Sequence, residues 1–258
     1  MIGLKVFADQ LEPYIHWDVD YFEVYIRHID HVGEPISLKD QLRLLEPIQH
    51  KVRGIHGGIL YQGVNFCDKN AAYHNQKALD VVFDAVPFFP NCDYIVFHPG
   101  VFTNPLSCSF EEFFSWVKPI DDPRFMIEVE PYFGYKERFC FPVYTPQDWL
   151  SIKHEINKEI VIDTGHLLIV SRIFNLDPKE YISTMISTLD PCVIHLSNND
   201  ARGDGYEDSH LNLVKGSFNL SLIKASLKNR MITIEVARPD MADLEFAQLL
   251  VSEKVLSS

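Results

Sequence analysis

Ile160-Val161-Ile162-Asp163-Thr164-Gly165-His166 opens as an apolar, β-branched run and stops abruptly on a carboxylate and an imidazole. An apolar run of this kind reads as a strand buried on both faces of a parallel sheet. Ionised groups are costly to take out of water without a partner. Such a strand therefore ends on Asp163 and His166 only where something sits at its carboxyl end. The same design, an apolar run followed by His or Glu, recurs along the chain, and the fold reading follows from that recurrence.

On both sides of this stretch, strand-like and helix-like segments alternate. Strands are predicted over Ile2–Ala8, Tyr21–Ile26, Val52–His56, Asp93–His98, Arg124–Glu130, Ile160–Asp163, Cys192–Leu196 and Met231–Val236. Between them, Leu38–His50 carries Leu38, Leu42, Leu45 and Ile48 at helical spacing. Asn70–Phe88 puts Ala72, Leu79, Val82, Phe83 and Val86 on one face. Phe110–Val117, Asn219–Lys228 and Met241–Lys254 also read as helices. Thr145-Pro146 and Asp177-Pro178 each open a helix with a capping side chain and a proline in the first turn, the second running to about Leu189. Eight such units without a Pro/Gly-rich linker predict a single-domain (β/α)8 TIM barrel over residues 1–258, since that fold typically takes about 250 residues. A doubly wound open sheet is the competing arrangement. No Walker or GxGxxG loop is present. Two long loops, Pro131–Tyr144 and Ser197–Ser217, fall on the face where barrel active sites lie.

Composition narrows the class. The chain has 258 residues, 47% hydrophobic and 23% charged, so it can bury a core and is not disordered. A net charge of -13 argues against nucleic-acid binding through phosphate contacts, which need Lys and Arg. The cysteines Cys67, Cys92, Cys108, Cys140 and Cys192 are scattered and form no CxxC pair. They suit a reducing cytoplasm and offer no thiolate zinc site. With no amino-terminal signal and no run of about 18 apolar residues, a soluble cytoplasmic protein without a membrane partner is expected.

The polar residues at the strand ends form a constellation. They are His56, His98, Glu128 and Glu130, Asp163, His195 and Glu235, with His166 three residues beyond Asp163 and Asp208 and His210 in the loop after the seventh strand. Each alone has an ordinary structural role open to it. A single histidine at a strand end is more often structural than a ligand. Glu128 and Glu130 share a face, and one can pair with Arg124 or Arg138. Asp208 and His210 can be plain solvated loop residues. Their coincidence on one rim has no such ordinary explanation. Imidazoles and carboxylates are the donors of Zn²⁺, with Mn²⁺ and Fe²⁺ served by the same set. The donors are too many for one tetrahedral ion, so two or three ions are expected, an arrangement suited to phosphate-ester hydrolysis.

With these motifs in place, Phe97-His98-Pro99-Gly100, Ile162-Asp163-Thr164-Gly165-His166 and Asp208-Ser209-His210-Leu211-Asn212-Leu213-Val214-Lys215-Gly216 resemble segments of the endonuclease IV (family 2 AP endonuclease) and xylose-isomerase-like TIM-barrel superfamily. The resemblance runs from the third strand to the eighth. It implies a trinuclear centre, usually of zinc. His56 and His98 would hold one ion, and Glu128 would bridge it to a second completed by Asp163, His195 and Glu235. His166, Asp208 and His210 would hold the third. The implied reaction is phosphodiester cleavage by a metal-bridging hydroxide, with Glu128 and Glu235 as catalytic carboxylates and Lys215 or Arg202 on the phosphate. The alternative in the same superfamily is a sugar isomerase or epimerase. There Glu128 and Glu235 shuttle a proton, and Tyr132, Phe133, Tyr135, Phe139, Phe141 and Tyr144 cover the sugar. Three departures are visible. Gly165 replaces the family's cysteine. Ile59-Leu60 replaces a DNA-wedging Tyr-Leu pair, with an aromatic only at Tyr61. Arg27 is the one candidate for a DNA-contacting arginine on the second strand. The expected substrate is accordingly a phosphoester or a sugar, with nucleic acid disfavoured by the charge. The choice between Glu128 and Glu130 as the bridging carboxylate stays open, with Glu128 at the position the family motif expects.

Overall fold

The computed structural model describes residues 1–30, 32–130, 141–200 and 208–252. Eight parallel strands close into a barrel in chain order, the first pairing with the eighth. They are β1 (Ile2–Phe7), β2 (Tyr21–Tyr25), β3 (Val52–His56), β4 (Tyr94–Phe97), β5 (Phe125–Glu128), β6 (Glu159–Asp163), β7 (Val193–Leu196) and β8 (Met231–Ile234). The predicted strands are all present, several of them trimmed at their carboxyl ends. His98 and Glu235 therefore stand one residue beyond a strand, and Glu130 two.

The α-helices are α1 (Leu38–Leu45), α2 (Ala72–Ala85), α3 (Phe110–Val117), α4 (Pro146–Ile156), α5 (Thr164–Ile173), α6 (Pro178–Leu189) and α7 (Met241–Val251). The helical pattern departs from expectation at several places, for identifiable reasons. Helix α1 gives way to a 3-10 stretch over Glu46–Lys51, where Pro47 cannot donate to an α-helical bond. Helix α2 is flanked by 3-10 turns, the second holding Pro87. The helix expected over Asn219–Lys228 is a 3-10 run, Leu220–Leu227. It starts with a Leu222 N–H bond to the Asn219 carbonyl at 3.0 Å, the short 3-10 spacing. Helix α7 ends at Val251, so the tail expected to reach Lys254 lies outside the described residues. After β1 the chain makes two 3-10 turns in place of an α-helix. Helix α5 has no counterpart in the sequence pattern. Its residues from Thr164 to Ser171 are all buried, and a helix buried all round has no polar face to create an amphipathic period.

The main core packs between barrel and helices, and a smaller one fills the barrel with Tyr21, Tyr94, Val96, Met126, Val161 and Val193. Here glycines set the geometry. Gly3 on β1 is registered with Tyr21 on β2, and Gly54 on β3 with Tyr94 on β4. A Cβ at Gly3 would lie 2.2 Å from the Tyr21 ring, and one at Gly54 would lie 2.3 Å from the Tyr94 ring. Each tyrosine thus lies across the glycine beside it. Both hydroxyls then meet Thr233 Oγ1 on β8, at 2.8 Å and 3.0 Å. Gly54→Ala is expected to cost about 1–3 kcal/mol or more by overpacking, read as a lowered urea midpoint with an unchanged slope.

Candidate metal centre

The barrel brings the predicted donors to its carboxyl-end rim. Glu128, at the end of β5 and fully buried, is the hub. Its Oε2 lies 3.1 Å from His56 Nε2, 3.1 Å from His195 Nδ1 and 3.4 Å from His98 Nε2, while Oε1 lies 3.3 Å from His166 Nδ1. Donor atoms converge in four overlapping sets, each spanning no more than 4.8 Å: His56, Glu128, His195 and Glu235; His166, Asp208 and His210; Glu128, Asp163 and His166; Asp163, His210 and Glu235. His98 lies outside these sets. Its Nε2 faces Glu128 and its Nδ1 lies 2.6 Å from Glu130 Oε2. The two glutamates after Ile127, equivalent by alternation, thus separate: Glu128 sits among four imidazoles and Glu130 backs one of them.

Local structure explains the placement of His166. The Asp163 carboxylate caps α5, accepting from the His166 N–H at 2.8 Å. That starts the helix at once and puts His166 in its first turn. The His166 Nδ1–H donates to the Val129 carbonyl at 2.7 Å, so Nε2 faces Asp208 Oδ2 at 3.1 Å. His56 Nδ1 likewise donates to the Gly57 carbonyl, and His210 Nδ1 to that of Glu235. His210 Nε2 meets Asp208 Oδ2 at 2.8 Å.

The segment carrying Asp208 and His210 is pinned to its surroundings. Asn198 and Leu211 pair through two backbone hydrogen bonds, and Ala237 N–H donates to the His210 carbonyl. Asn199 Oδ1 accepts from Ser209 N–H. His210 holds a left-handed φ of 41°, a conformation uncommon for a residue with a side chain. Gly165 also has a reason. A Cβ there would lie 2.2 Å from Ser197 Oγ, and that hydroxyl donates to Asp163 Oδ1 at 2.9 Å. A serine on the neighbouring strand end therefore takes the space a cysteine side chain would need and uses it to hold a candidate ligand.

Two charges at the site, the half-buried Lys5 and the fully buried Glu23, escape the sequence reading. Lys5, on β1, puts Nζ 2.5 Å from Glu235 Oε1. Glu23, on β2, accepts from His195 Nε2 at 2.9 Å. The available signal is a single charge inside an otherwise apolar strand, Leu4-Lys5-Val6 and Phe22-Glu23-Val24. A search confined to strand ends passes over both.

The electrostatics follow from burial and these pairs. Burial alone pulls the His98 imidazole down, but Glu130 and Glu128 outweigh it and raise it to about 10. His210 is raised to about 9 against burial, chiefly by Asp208. His195 and His166 are pushed well above their ordinary value against burial, the first by Glu23 and Glu128 and the second by Asp163 and Asp208. Burial would raise Glu128, Asp208 and Glu235, yet their cationic neighbours hold all three well below the carboxylate range. Asp163 goes the other way, raised by burial.

The donor set fits divalent ions. His98 Nε2, Glu128 Oε1, His195 Nδ1 and Glu235 Oε2 are buried without hydrogen-bond partners, although His195 Nδ1 and Glu235 Oε2 are only 2.7 Å apart. Buried polar atoms normally find hydrogen bonds. Atoms that crowd together without making them are arranged as ligands of a shared cation are.

Other candidates fall elsewhere. Lys215 is exposed and paired with Asp240 at 3.0 Å. Arg27 pairs with Asp9 at 3.1 Å and lies over the Phe7 ring. Arg124 pairs with Asp122, not with a glutamate of the β5 end. Phe141 is buried against Trp149, and Tyr144 stacks on Phe174, so both pack within the protein. Tyr61 is 90% exposed. Tyr132, Phe133, Tyr135, Phe139, Arg138 and Arg202 lie outside the described residues. Among the described residues no helix is long and apolar enough to cross a membrane.

No protein-family model and no curated protein matches the sequence. Solved structures do match the fold. Endonuclease IV from Thermus thermophilus aligns with a TM-score of 0.64 at 16% identity, over 96% of this chain and 97% of that one. D-psicose 3-epimerase, determined in the presence of D-fructose, aligns with a TM-score of 0.62 at 13% identity, over 97% and 99%. AP endonuclease, family 2, from Brucella melitensis aligns with a TM-score of 0.59 at 11% identity, over 96% of each chain. The chain has the fold shared by these enzymes.

Proposed function

We propose that this chain is a metal-dependent hydrolase of the endonuclease IV type, cleaving a phosphodiester at a di- or trinuclear centre. One observation carries the reading. His166 and His210 both present Nε2 to Asp208 Oδ2, and this trio adjoins the Glu128 hub through Asp163 and His166. A third donor set beside the first two has no use in a single-ion isomerase.

His56, His98 and Glu128 would hold one ion. Glu128, Asp163, His195 and Glu235 would hold a second, and His166, Asp208 and His210 a third. Zn²⁺ suits these donors, and Mn²⁺ or Fe²⁺ share them. When bound, such ions supply a nucleophile at neutral pH and neutralise charge developing on phosphoryl oxygens. The protein's part is to hold the donors. Ser197 orients Asp163, Val129 and Gly57 carbonyls orient His166 and His56, and Lys5 holds one oxygen of Glu235. A small phosphodiester fits the net charge of -13 better than duplex DNA does.

A second reading, a sugar isomerase or epimerase, draws on Glu128 and Glu235. Their Oε2 atoms flank His195 Nδ1 at 3.1 Å and 2.7 Å, as two carboxylates shuttling a proton across one ion would. Elemental mass spectrometry on protein purified without a nickel column separates the two. About three ions per chain are expected, falling to about two in His210→Ala. About one ion in the wild type, unchanged in His210→Ala, would remove the hydrolase reading and leave the isomerase.

A further inference from the structure

His195 is turned the opposite way from the other ring-anchored histidines of the centre. His56, His166 and His210 each anchor Nδ1–H on a backbone carbonyl and present Nε2. In His195 the Nε2–H donates to the Glu23 carboxylate at 2.9 Å, and Nδ1 faces Glu128 and Glu235. The nitrogen that faces an ion is set by the hydrogen bond the other nitrogen makes. For His195 that bond goes to a carboxylate from β2, across the barrel, and not to a backbone carbonyl.

Glu23 is itself held. The Tyr94 hydroxyl donates to Oε2 at 2.7 Å, and Thr233 Oγ1 stands 3.4 Å from the same oxygen. Tyr94 lies across Gly54, and Thr233 also meets Tyr21. Residues of β2, β4 and β8 thus lock one oxygen of a fully buried carboxylate against one ring nitrogen. A buried carboxylate is expensive compared with a neutral amide. A purely structural acceptor in this place would need no charge. A negative charge on the far side of the ring is what strengthens an imidazole as a metal ligand.

We propose that Glu23 is a positioning residue of the metal centre: it fixes His195 with Nδ1 toward the ions and raises the ring's donor strength. This rests on the metal reading above. Glu23 belongs to none of the four convergent donor sets, and the oxygen it turns to the ring is shared between His195 and Tyr94.

The test uses full-length protein carrying ¹⁵N-labelled histidine and loaded with ¹¹³Cd²⁺. In the wild type, His195 is expected to show cadmium coupling at Nδ1 and a proton on Nε2. Glu23→Gln keeps an acceptor and removes the charge. It should retain the Nδ1 coupling while cadmium affinity, measured by chelator competition, falls about tenfold. Glu23→Leu should lose or reverse the coupling and bind up to about 100-fold more weakly. If Glu23→Leu does not fold, the glutamine variant decides alone. Coupling through Nε2 in the wild type, or wild-type affinity in folded Glu23→Gln, would overturn the proposal. Wild-type protein that binds no cadmium would overturn the metal reading, and this inference with it.

Discussion

Glu128→Ala is expected to empty the centre of at least two ions and to cut turnover by about 1,000-fold or more, equivalent to roughly 4 kcal/mol in the barrier. The expectation follows from position. Glu128 is fully buried, and its two oxygens lie within 3.4 Å of His56, His98, His166 and His195. It thereby touches both the strand-borne donors and the first member of the third set. The ion-free protein should also suffer, because removing one partner from a buried ion pair typically costs about 3–5 kcal/mol. Elemental analysis and urea unfolding of the same preparation read both effects. Glu130→Ala is the contrast: it leaves the contacts of Glu128 in place and should weaken only the ion held by His98, whose Nδ1 Glu130 backs at 2.6 Å. Equal ion loss in the two variants would remove Glu128 from its central role.

The second large effect concerns pH, and its sign depends on the ions. In the ion-free protein His98 titrates at about 10 and His210 at about 9, against about 6.5 for an unfolded histidine. A group raised in the folded state contributes stability that is complete below its unfolded value and lost as pH rises through its folded value. Ion-free protein should therefore lose thermal stability steadily from about pH 6.5 to 10, by on the order of several kcal/mol in total. His166 and His195, raised well above the ordinary value, act in the same direction. Glu128, Asp208 and Glu235 are held low, so their contributions are constant over this range. Ion binding reverses the trend. Each imidazole must shed its proton to become a ligand, so affinity should climb with pH by up to about tenfold per unit for each such group, with protons released on loading. Melting curves of both forms between about pH 6.5 and 9 should diverge. A melting temperature of the ion-free form that rises over that range would contradict the pairing seen here.

The strand ends are the legible part of the sequence. A parallel strand buried on both faces leaves an apolar run, and the charged residue that stops it marks the rim. His56, Glu128, Asp163, His195 and Glu235 are found that way, and the barrel places them together. Helix α5 is invisible for the reason those strands are visible: continuous burial erases periodicity, and Leu167, Leu168, Ile169 and Val170 carry no polar face. Glu128 and Glu130 cannot be told apart by alternation. Only the end of β5 and the place of His98 between them do that. Lys5 and Glu23 stay hidden because a charge in mid-strand points into the barrel only if the strand is known to line one. Their partners Glu235 and His195 lie 230 and 172 residues away in the chain.

The Lys5–Glu235 pair bears on how the protein comes into being. Small zinc modules wait for metal before they fold, because no preformed site exists in the unfolded chain and the ion's binding energy drives folding. Here a lysine on the first strand already neutralises a carboxylate beyond the last, and protonated imidazoles neutralise the others. The first and eighth strands can therefore be stitched into a closed barrel while the cell's metal supply is low. On the metal reading proposed above, loading would then act on a finished scaffold and exchange protons for metal.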